Sequence, residues 1–346
     1  MSIPLHSKLR RIVKDSTDSF LKFFSKKASG EKIPKESIEN ILVVRINYRI
    51  GNMLFTTPLL KQLQNEFTNA KIDVMVGAPF TKVLFQGFSN IENVYDFPRD
   101  LLKYPLQMLR YVNQLRKKRY DVVIAPNFGS TSDRIATFLA RADHKVSFCV
   151  GDRYSPVDRC IERQDTHINH EALKPLELLK IFDITPDYNL KLTVELQEDE
   201  LSKGKKLVEN FKNGAKIFGI FRNARYDKKI DDVWWQELIS AMQNKAPDIV
   251  FIDILSPDVK ERLPNITHSF EEKNLRTLAA FMANLDAFIC GDTGPMHLAS
   301  ASGVPTIALF KTTAPTLYGT LKEKDHSIEM DGKSVNQVAD EILAHS

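Results

Sequence analysis

The sequence predicts an α/β protein built from two doubly wound, Rossmann-like domains that face each other across a cleft. Three observations support this. A chain of 346 residues is too long for one typical hydrophobic core and suits two domains. Short apolar runs recur in both halves and alternate with stretches of helical periodicity, as in parallel sheets covered by helices. A polar segment with Pro186, residues 183–193, interrupts this pattern and is the predicted linker.

The apolar runs define the predicted strands and helices. The strands are residues 41–46, 71–76, 120–125 and 145–150 in the first half, and 216–221, 248–255, 285–290 and 306–310 in the second. Apolar residues at helical spacing mark the predicted buried faces of two crossover helices: Leu59, Leu60, Leu63 and Phe67, then Leu106, Leu109, Val112 and Leu115. The predicted segments are an arm (1–40), an N-terminal domain (41–185) and a C-terminal domain (186–346). The last helix either stays with its own domain or packs back on the N-terminal one.

Composition excludes several classes of protein. A net charge of +4 is small for this length, so bulk charge does not indicate a nucleic-acid partner. No run approaches the roughly 20 apolar residues that span a bilayer, and no signal peptide is recognisable, so we expect a soluble, cytoplasmic protein. Cys149, Cys160 and Cys290 are odd in number and lack metal-binding spacing. We therefore expect reduced thiols, with neither a disulfide nor a zinc site.

The first forty residues form a basic amphipathic segment. Its apolar residues recur at helical spacing among many cations: Leu9, Ile12, Val13, Phe20, Phe23 and Phe24 among Lys8, Arg10, Arg11, Lys14, Lys22, Lys26 and Lys27. One interpretation is an arm packed on its own domain or on a partner subunit. The other is a peripheral contact of residues 8–27 with anionic lipids at a membrane surface.

The most informative stretch is residues 288–310, which predicts strand, turn, helix, turn and strand. The run Gly291-Asp292-Thr293-Gly294 ends the first strand, and Pro295 suits the first turn of the helix that follows. Free backbone N–H groups and the positive end of the helix dipole then converge at residues 292–296. This turn is therefore a predicted binding site for an anionic group such as a phosphate.

A second turn follows the first predicted strand, in residues 45–58. Gly51 and Asn52 fall where this turn enters a helix and points into the cleft. Thr57 and Pro58 are either the cap and first residue of that helix, or a kink within a helix that starts at Asn52. We favour the kinked helix. The alternative for the polar residues is structural, with Asn52 as a simple cap and Arg45, Asn47 and Arg49 on the surface.

A cationic loop, residues 222–230, opens on the same side as the phosphate-binding turn. Arg222, Arg225, Lys228 and Lys229 would neutralise a diphosphate, although the same run also fits a solvated charged surface. No dinucleotide fingerprint and no P-loop motif is present, and no Asp-x-Asp pair ends a strand, so we expect no metal and no cofactor. His297 is more typical of a packed or capping histidine than of a catalytic base.

Two stretches resemble glycosyltransferase family 9, the ADP-heptose:lipopolysaccharide heptosyltransferases. They are residues 41–60, with Ile50-Gly-Asn-Met-Leu-Phe-Thr-Thr-Pro, and residues 290–299, Cys-Gly-Asp-Thr-Gly-Pro-Met-His-Leu-Ala. Residues 170–179 look like the helix that precedes the linker in this family. The resemblance implies a GT-B fold and an inverting, metal-independent transfer of heptose from ADP-heptose to the inner core of lipopolysaccharide. The acceptor would be lipid-linked and the enzyme would work at the cytoplasmic face of the inner membrane.

The resemblance also implies roles for individual residues. Lys228 falls at the phosphate-binding lysine of the family and is a catalytic candidate. The expected donor-binding residues of the C-terminal domain are Arg225, Lys228, Lys229, Asp292, Thr293, Gly294, Met296 and His297. The expected acceptor-binding residues of the N-terminal domain are Asn47, Arg49 and Gly51.

The chain departs from the family pattern at three places. Asn52 stands where the family has the acidic residue proposed as base, and an amide cannot accept that proton. Residues 254–260 replace a Gly-rich segment near the nucleotide, and Ile230-Asp231 replaces Trp-Pro. Either another carboxylate or histidine substitutes, or the acceptor assists, or Asn52 only positions the acceptor, or activity is lost. The alternative functions are a silent relative that binds a nucleotide sugar or core oligosaccharide as a scaffold, and a nucleotide-sugar epimerase.

Overall fold

The computed structural model of the chain describes most of residues 31–346 and little of what precedes them. The described residues are 31–97, 105–127, 130–149, 157–163, 166–211, 216–259 and 261–346, with Ser16, Ser19, Leu21, Phe23, Ala28 and Ser29. The cations of residues 8–27 lie outside the described residues. Both interpretations of the N-terminal arm therefore stay predictions.

Two six-stranded sheets form the framework of the protein. The first contains β1 (Asn40–Arg45), β2 (Lys71–Val76), β3 (Ile91–Asp96), β4 (Arg119–Ala125), β5 (Arg141–Cys149) and β6 (Arg159–Glu162). The second contains β7 (Lys216–Phe221), β8 (Ile249–Leu255), β9 (His268–Glu271), β10 (Ala287–Gly291), β11 (Thr306–Phe310) and β12 (His326–Glu329). The spatial orders are β3-β2-β1-β4-β5-β6 and β12-β11-β10-β7-β8-β9. Every strand pairing within the described ranges is parallel, which confirms the predicted pair of doubly wound α/β domains.

Each of the eight predicted strands is present, with ends shifted by a few residues. The four strands that the sequence did not predict are β3, β6, β9 and β12, and each lies at an edge of its sheet. Their side chains are mostly half-buried or exposed, whereas the central strands are buried on both faces. An edge strand therefore lacks the continuous apolar run by which a central parallel strand is recognised.

The helices cover both faces of each sheet. They are α1 (Ile50–Leu54), α2 (Thr57–Glu66), α3 (Pro105–Leu115), α4 (Thr131–Leu139), α5 (Glu198–Glu209), α6 (Asp232–Lys245), α7 (Leu275–Met282), α8 (Gly294–Ser302), α9 (Pro315–Tyr318) and α10 (Val335–Ala344). The longer 3₁₀ helices are Pro79–Phe85 and Lys174–Phe182, and shorter ones are Lys35–Ser37 and Tyr226–Lys228. No helix in the described part of the chain is both long and apolar enough to cross a bilayer.

The predicted kinked helix at Pro58 is wrong, because two helices occupy this stretch. Helix α1 ends at Leu54, and the Thr57 hydroxyl donates a hydrogen bond of 2.7 Å to the Leu54 carbonyl oxygen. Pro58 lies in the first turn of α2, where its missing N–H costs nothing. The alternative in which Thr57 and Pro58 begin a helix is therefore the better description.

The predicted buried face of α3 is also partly wrong. Leu106 and Leu109 are 74% and 57% exposed, whereas the predicted Leu115 is buried and packs in the core with Met108 and Tyr111, which were not predicted. Residues three or four apart share a face of a helix, so both sets satisfy the same periodicity. Only the packing of the helix on the sheet decides which set is buried.

Cys149 and Cys160 form a disulfide, which corrects the expectation of reduced thiols. Cys149 ends β5 and Cys160 lies in β6, the strand paired beside it, with Cα atoms 5.5 Å apart. Neighbouring parallel strands bring these residues together, although their spacing in sequence gives no such signal. Cys290 is free and buried.

The sequence left open where the last helix packs. Val338, Ala339 and Ile342 of α10 belong to the same apolar cluster as Trp235, Leu238, Ile239 and Met242 of α6. The helix therefore lies against its own C-terminal half.

Helices α5 and α7 touch at Gly204, and the contact leaves no room for a side chain. A Cβ atom at Gly204 would lie 2.1 Å from the Ala280 carbonyl oxygen. Gly204→Ala should therefore destabilise the protein by about 1–3 kcal/mol, despite the better helix propensity of alanine. The urea midpoint of unfolding measures this, with the exposed neighbour Lys205→Ala as control. An equal or higher midpoint for the glycine variant would contradict the contact.

Candidate functional site

The N-terminal and C-terminal domains touch where the start of α1 meets the start of α8. A Cβ atom at Gly51 would lie 2.5 Å from Cδ2 of His297. A Cβ atom at Gly294 would lie 3.3 Å from Cβ of Ile50 and 3.6 Å from the Gly51 nitrogen. These glycines let the starts of the two helices approach, so the turn after β1 and the turn after β10 face each other as the sequence predicts.

The turn after β10 carries a compact polar cluster at the start of α8. One carboxylate oxygen of Asp292, a nearly buried residue, accepts hydrogen bonds from Lys228 Nζ and the Thr313 hydroxyl, both at 2.5 Å. Thr293 is the N-terminal cap residue of α8, and its buried hydroxyl has no hydrogen-bond partner among the described residues. The N–H groups of the first helical turn lack intrahelical acceptors. The cluster thus combines a cation with main-chain donors, as an anion site requires.

His297 and Met296 lie one turn into α8 and are buried. Burial lowers the pKa of His297 to about 4, so the imidazole is neutral at physiological pH. Its ring packs edge-on against Phe55, with the centroids 4.7 Å apart. The side chain of Met296 belongs to the hydrophobic core, so only its backbone N–H can face a ligand.

The four cations of the loop after β7 separate into different roles. Arg222 is 9% exposed and is held by Asp253 at 3.1 Å and by Asp232 at 2.8 Å. Arg222 therefore anchors the loop to β8 and α6, which carry these two aspartates. Lys228 reaches the Asp292 cluster, whereas Arg225 and Lys229 are exposed beside it. Of the predicted cations, Lys228 has the position best suited to a bound phosphate.

On the side of the first domain, a pocket of about 210 Å³ opens next to Asn52. It is called the charged pocket here, and its lining residues are Arg45, Asn47, Asn52, Phe55, Thr56, Pro126, Asn127, Phe148, Arg163, Glu171, Lys174, Pro175 and Tyr318. Tyr318 belongs to α9 of the second domain, so both halves contribute. Of the predicted acceptor residues, Asn47 lines the pocket. Arg49 is exposed outside this lining, and Gly51 is buried against His297.

Arg45 lies at the inner wall of the charged pocket. Its Nε donates to the Asn52 carbonyl oxygen at 3.4 Å, and its NH1 lies 3.9 Å from a carboxylate oxygen of Asp133. Complete burial raises the pKa of Asp133 to about 7, although Arg45 opposes that shift. Burial thus disfavours the ionised form of Asp133, whereas the nearby Arg45 guanidinium favours it.

Glu171 lies at the mouth of the charged pocket between two cations. Its carboxylate accepts hydrogen bonds from Lys174 at 2.5 Å and Arg163 at 2.8 Å. Burial by itself would raise the pKa of Glu171, but these cations outweigh it and hold the pKa below its ordinary value. The group is consequently ionised at neutral pH.

The sequence did not identify Arg163, Glu171, Lys174 or Tyr318 as site residues. Glu171 and Lys174 fall within residues 170–179, which the family resemblance marks only as a helix before the linker. The signal available was a cluster of charged residues directly before an apolar helical run. These residues line the same pocket as Asn52, although they lie more than 100 residues from it in the chain. No local sequence pattern indicates a contact over that separation.

Comparisons with known proteins point to one family. A family model described as glycosyltransferase family 9 (heptosyltransferase) matches residues 108–343. The lipooligosaccharide heptosyltransferase 2 of Haemophilus influenzae is 24% identical over 309 residues, covering 82% of this chain and 87% of that protein. Two solved structures share the fold. The Escherichia coli ADP-heptose LPS heptosyltransferase II has a TM-score of 0.71 at 17% identity, covering 88% of this chain and 98% of its own. The E. coli heptosyltransferase WaaC with ADP has a TM-score of 0.70 at 20% identity, with 89% and 100% covered.

Proposed function

The chain belongs to glycosyltransferase family 9, the heptosyltransferases, and we propose that it transfers a heptose from ADP-heptose to the inner core of lipopolysaccharide. The observation that carries the proposal is the Asp292–Lys228 cluster at the start of α8, a helix whose first turn contacts α1, which carries the pocket residue Asn52. A nucleotide diphosphate and a polar acceptor could then bind on opposite sides. The solved relatives named for ADP-heptose and complexed with ADP support this choice of donor.

The proposed mechanism is a single displacement that inverts the anomeric centre. An acceptor hydroxyl attacks the anomeric carbon from the face opposite ADP, the new C–O bond forms, and the old bond breaks with its electron pair leaving on the diphosphate. Lys228 and the first turn of α8 would stabilise that charge, a task which other enzymes assign to a metal ion. Interactions that are stronger in the transition state than in the bound substrate raise the rate of the chemical step, whereas interactions that are equally strong in both do not.

The proposed acceptor is a lipid-linked oligosaccharide that enters the charged pocket. The pocket offers amides of Asn47, Asn52 and Asn127 to sugar hydroxyls, and cations to any acidic substituent. The proposed location is the cytoplasmic face of the inner membrane, with peripheral contact through residues 8–27. Glutamate replacement of Lys8, Arg10, Arg11 and Lys14 should abolish liposome binding if that contact exists.

Calorimetric titration with ADP, UDP, GDP and ADP-heptose tests the donor. Turnover with a lipopolysaccharide acceptor, measured in the same preparation, tests the transfer. We expect selective binding of ADP-heptose and ADP, followed by transfer. Tighter binding of another nucleotide would contradict ADP-heptose as the donor.

A second candidate function is a silent relative that binds nucleotide sugar or core oligosaccharide as a scaffold. The observation that favours it is Asn52, an amide in α1 that lines the charged pocket. Donor binding without transfer to any lipopolysaccharide acceptor would support this second function. An epimerase, in contrast, would convert its nucleotide sugar with no acceptor present.

Asn52→Asp should retain or raise transfer activity. The new carboxylate would line the charged pocket within reach of Arg45, whose Nε already contacts the Asn52 backbone. A carboxylate there could accept the proton of an attacking hydroxyl. Initial rates for the variant and the unmodified protein at saturating donor measure the effect. Loss of activity with unchanged donor affinity would show that the amide itself is required.

A further inference from the structure

We infer that Glu171 is the catalytic base, the group that accepts the proton of the attacking acceptor hydroxyl. This inference rests on the proposed function, because it concerns the chemistry of the same transfer. It assigns a role to a residue of the charged pocket that neither the sequence pattern nor the family match identified.

The transfer needs a proton acceptor on the acceptor side. When the hydroxyl oxygen bonds to the anomeric carbon, its proton must leave, while the electron pair of the breaking C–O bond departs with ADP. A carboxylate takes up that proton and becomes a carboxylic acid, so the charges balance. Asn52, which lines the pocket from α1, has no basic atom for this step. A different residue must accept the proton.

Glu171 is the only carboxylate among the described residues that line the charged pocket. It also lies where the two domains meet. Its backbone N–H donates to the Leu317 carbonyl oxygen at 3.1 Å, and the adjacent His170 contacts the Gly319 carbonyl oxygen through Nε2 at 2.9 Å. Tyr318, between these two contacts, lines the same pocket. Glu171 is thus fixed by both domains at the interface where donor and acceptor must meet.

Two nearby carboxylates, Asp133 and Asp292, and the buried His297 are poorly placed for this role. Asp133 is fully buried behind Arg45 and does not line the pocket. Asp292 is bound by Lys228 and Thr313 on the donor side, where a negative charge faces the diphosphate. His297 is buried behind Gly51 and does not line the pocket, so its ring is not in reach of an acceptor bound there.

The surroundings of Glu171 suit a carboxylate that stays ionised. Arg163 and Lys174 bond to its two oxygens, and the charges of Arg45 and His170 also interact with it. Each carboxylate oxygen has a second lone pair that can receive a substrate hydroxyl. Because the cations hold the pKa of Glu171 low, the rate should stay level down to a pH below the ordinary range for glutamate.

The test replaces Glu171 with glutamine, which keeps the shape and removes the basic group. Glu171→Gln should lower kcat/KM by about 100-fold or more, the usual contribution of a general base, with unchanged ADP-heptose affinity by calorimetry. The matched control is Glu177→Gln. Glu177 also pairs with the lysine three residues later, at 2.8 Å, but does not line the pocket. The control should transfer at the unmodified rate, and melting curves report folding of both variants.

A second variant separates a base from a purely structural ion pair. Arg163→Met leaves the carboxylate but removes one cation, so the pKa of Glu171 should rise and the acid limb of the pH–rate profile should move to higher pH. An unmoved limb, or a Glu171→Gln variant as active as the unmodified protein, would overturn the assignment while leaving the proposed transfer intact. If the unmodified protein binds donor but transfers nothing, the proposed function fails and the role of Glu171 fails with it.

Discussion

Replacing Lys228 with alanine is expected to lower the affinity for ADP-heptose at least tenfold and to slow transfer by about a further 100-fold. A hydrogen bond to a charged group contributes about 1.5–3 kcal/mol, which corresponds to roughly tenfold or more in affinity. Lys228 Nζ is also the cation held 2.5 Å from Asp292. Its removal would leave that carboxylate facing the diphosphate without compensation. Loss of a donor to the leaving group typically costs about 10²–10³ in turnover.

Calorimetry with ADP and ADP-heptose measures the affinity, and initial rates at saturating donor measure the turnover. The matched control is Lys245→Ala. Lys245 lies in the same domain and also pairs with an aspartate, Asp340, at 2.5 Å, but on the outer surface of α6. The Lys245→Ala variant should bind ADP-heptose and transfer heptose as the unmodified protein does. Ordinary donor affinity in the Lys228 variant would remove Lys228 from the site.

Replacing Arg276 with alanine is expected to cost about 3 kcal/mol of unfolding free energy, the low end for a buried ion pair because Glu200 is partly exposed, and it leaves the partners of Arg276 without their donor. The Arg276 side chain is 8% exposed and bonds to both carboxylate oxygens of Glu200. It also donates to the carbonyl oxygens of Glu195 at 2.7 Å and Val83 at 3.3 Å. Val83 belongs to the first domain, so this side chain ties α7 and the segment after the linker to it.

Urea unfolding at neutral pH, followed by fluorescence, measures the loss. Lys203→Ala is the control, since Lys203 pairs with Asp199 at 2.9 Å on the exposed surface of α5. Solvent-exposed ion pairs contribute little to the free energy of unfolding, so the unfolding midpoint of the Lys203→Ala variant should hardly change. Equal shifts for the two variants would show that the Arg276 network does not hold the domains together.

The fold was predictable where one local pattern had one physical meaning. Central strands such as β1 and β10 are buried on both faces, so their apolar runs identify them directly. The turn at Asp292 was predictable for the same reason. A strand, a Gly-rich turn and a proline-started helix are contiguous in sequence, and the free N–H groups at the start of that helix are the local feature that predicts an anion site. Gly303 ends that helix with φ of 97°, a left-handed conformation that favours glycine.

Tertiary packing decided what local patterns left ambiguous. Two apolar stripes of α3 satisfy the same helical spacing, and only the position of the sheet shows that Leu106 and Leu109 face outward. Cys149 and Cys160 became partners because β5 and β6 are neighbours. The edge strands escaped detection because half-exposed residues carry no continuous apolar signal.

The sequence by itself determined the two doubly wound domains, the turn and helix start at α8 where we propose that the donor diphosphate binds, and the family. Each of these depends on residues that are close together in the chain, through backbone hydrogen bonding and the burial of short apolar runs. Only the tertiary structure decided that Lys228 reaches Asp292 and that Arg163, Glu171, Lys174 and Tyr318 surround one pocket beside Asn52. These side chains come from distant segments, and their distances are set by how the helices and the two domains pack.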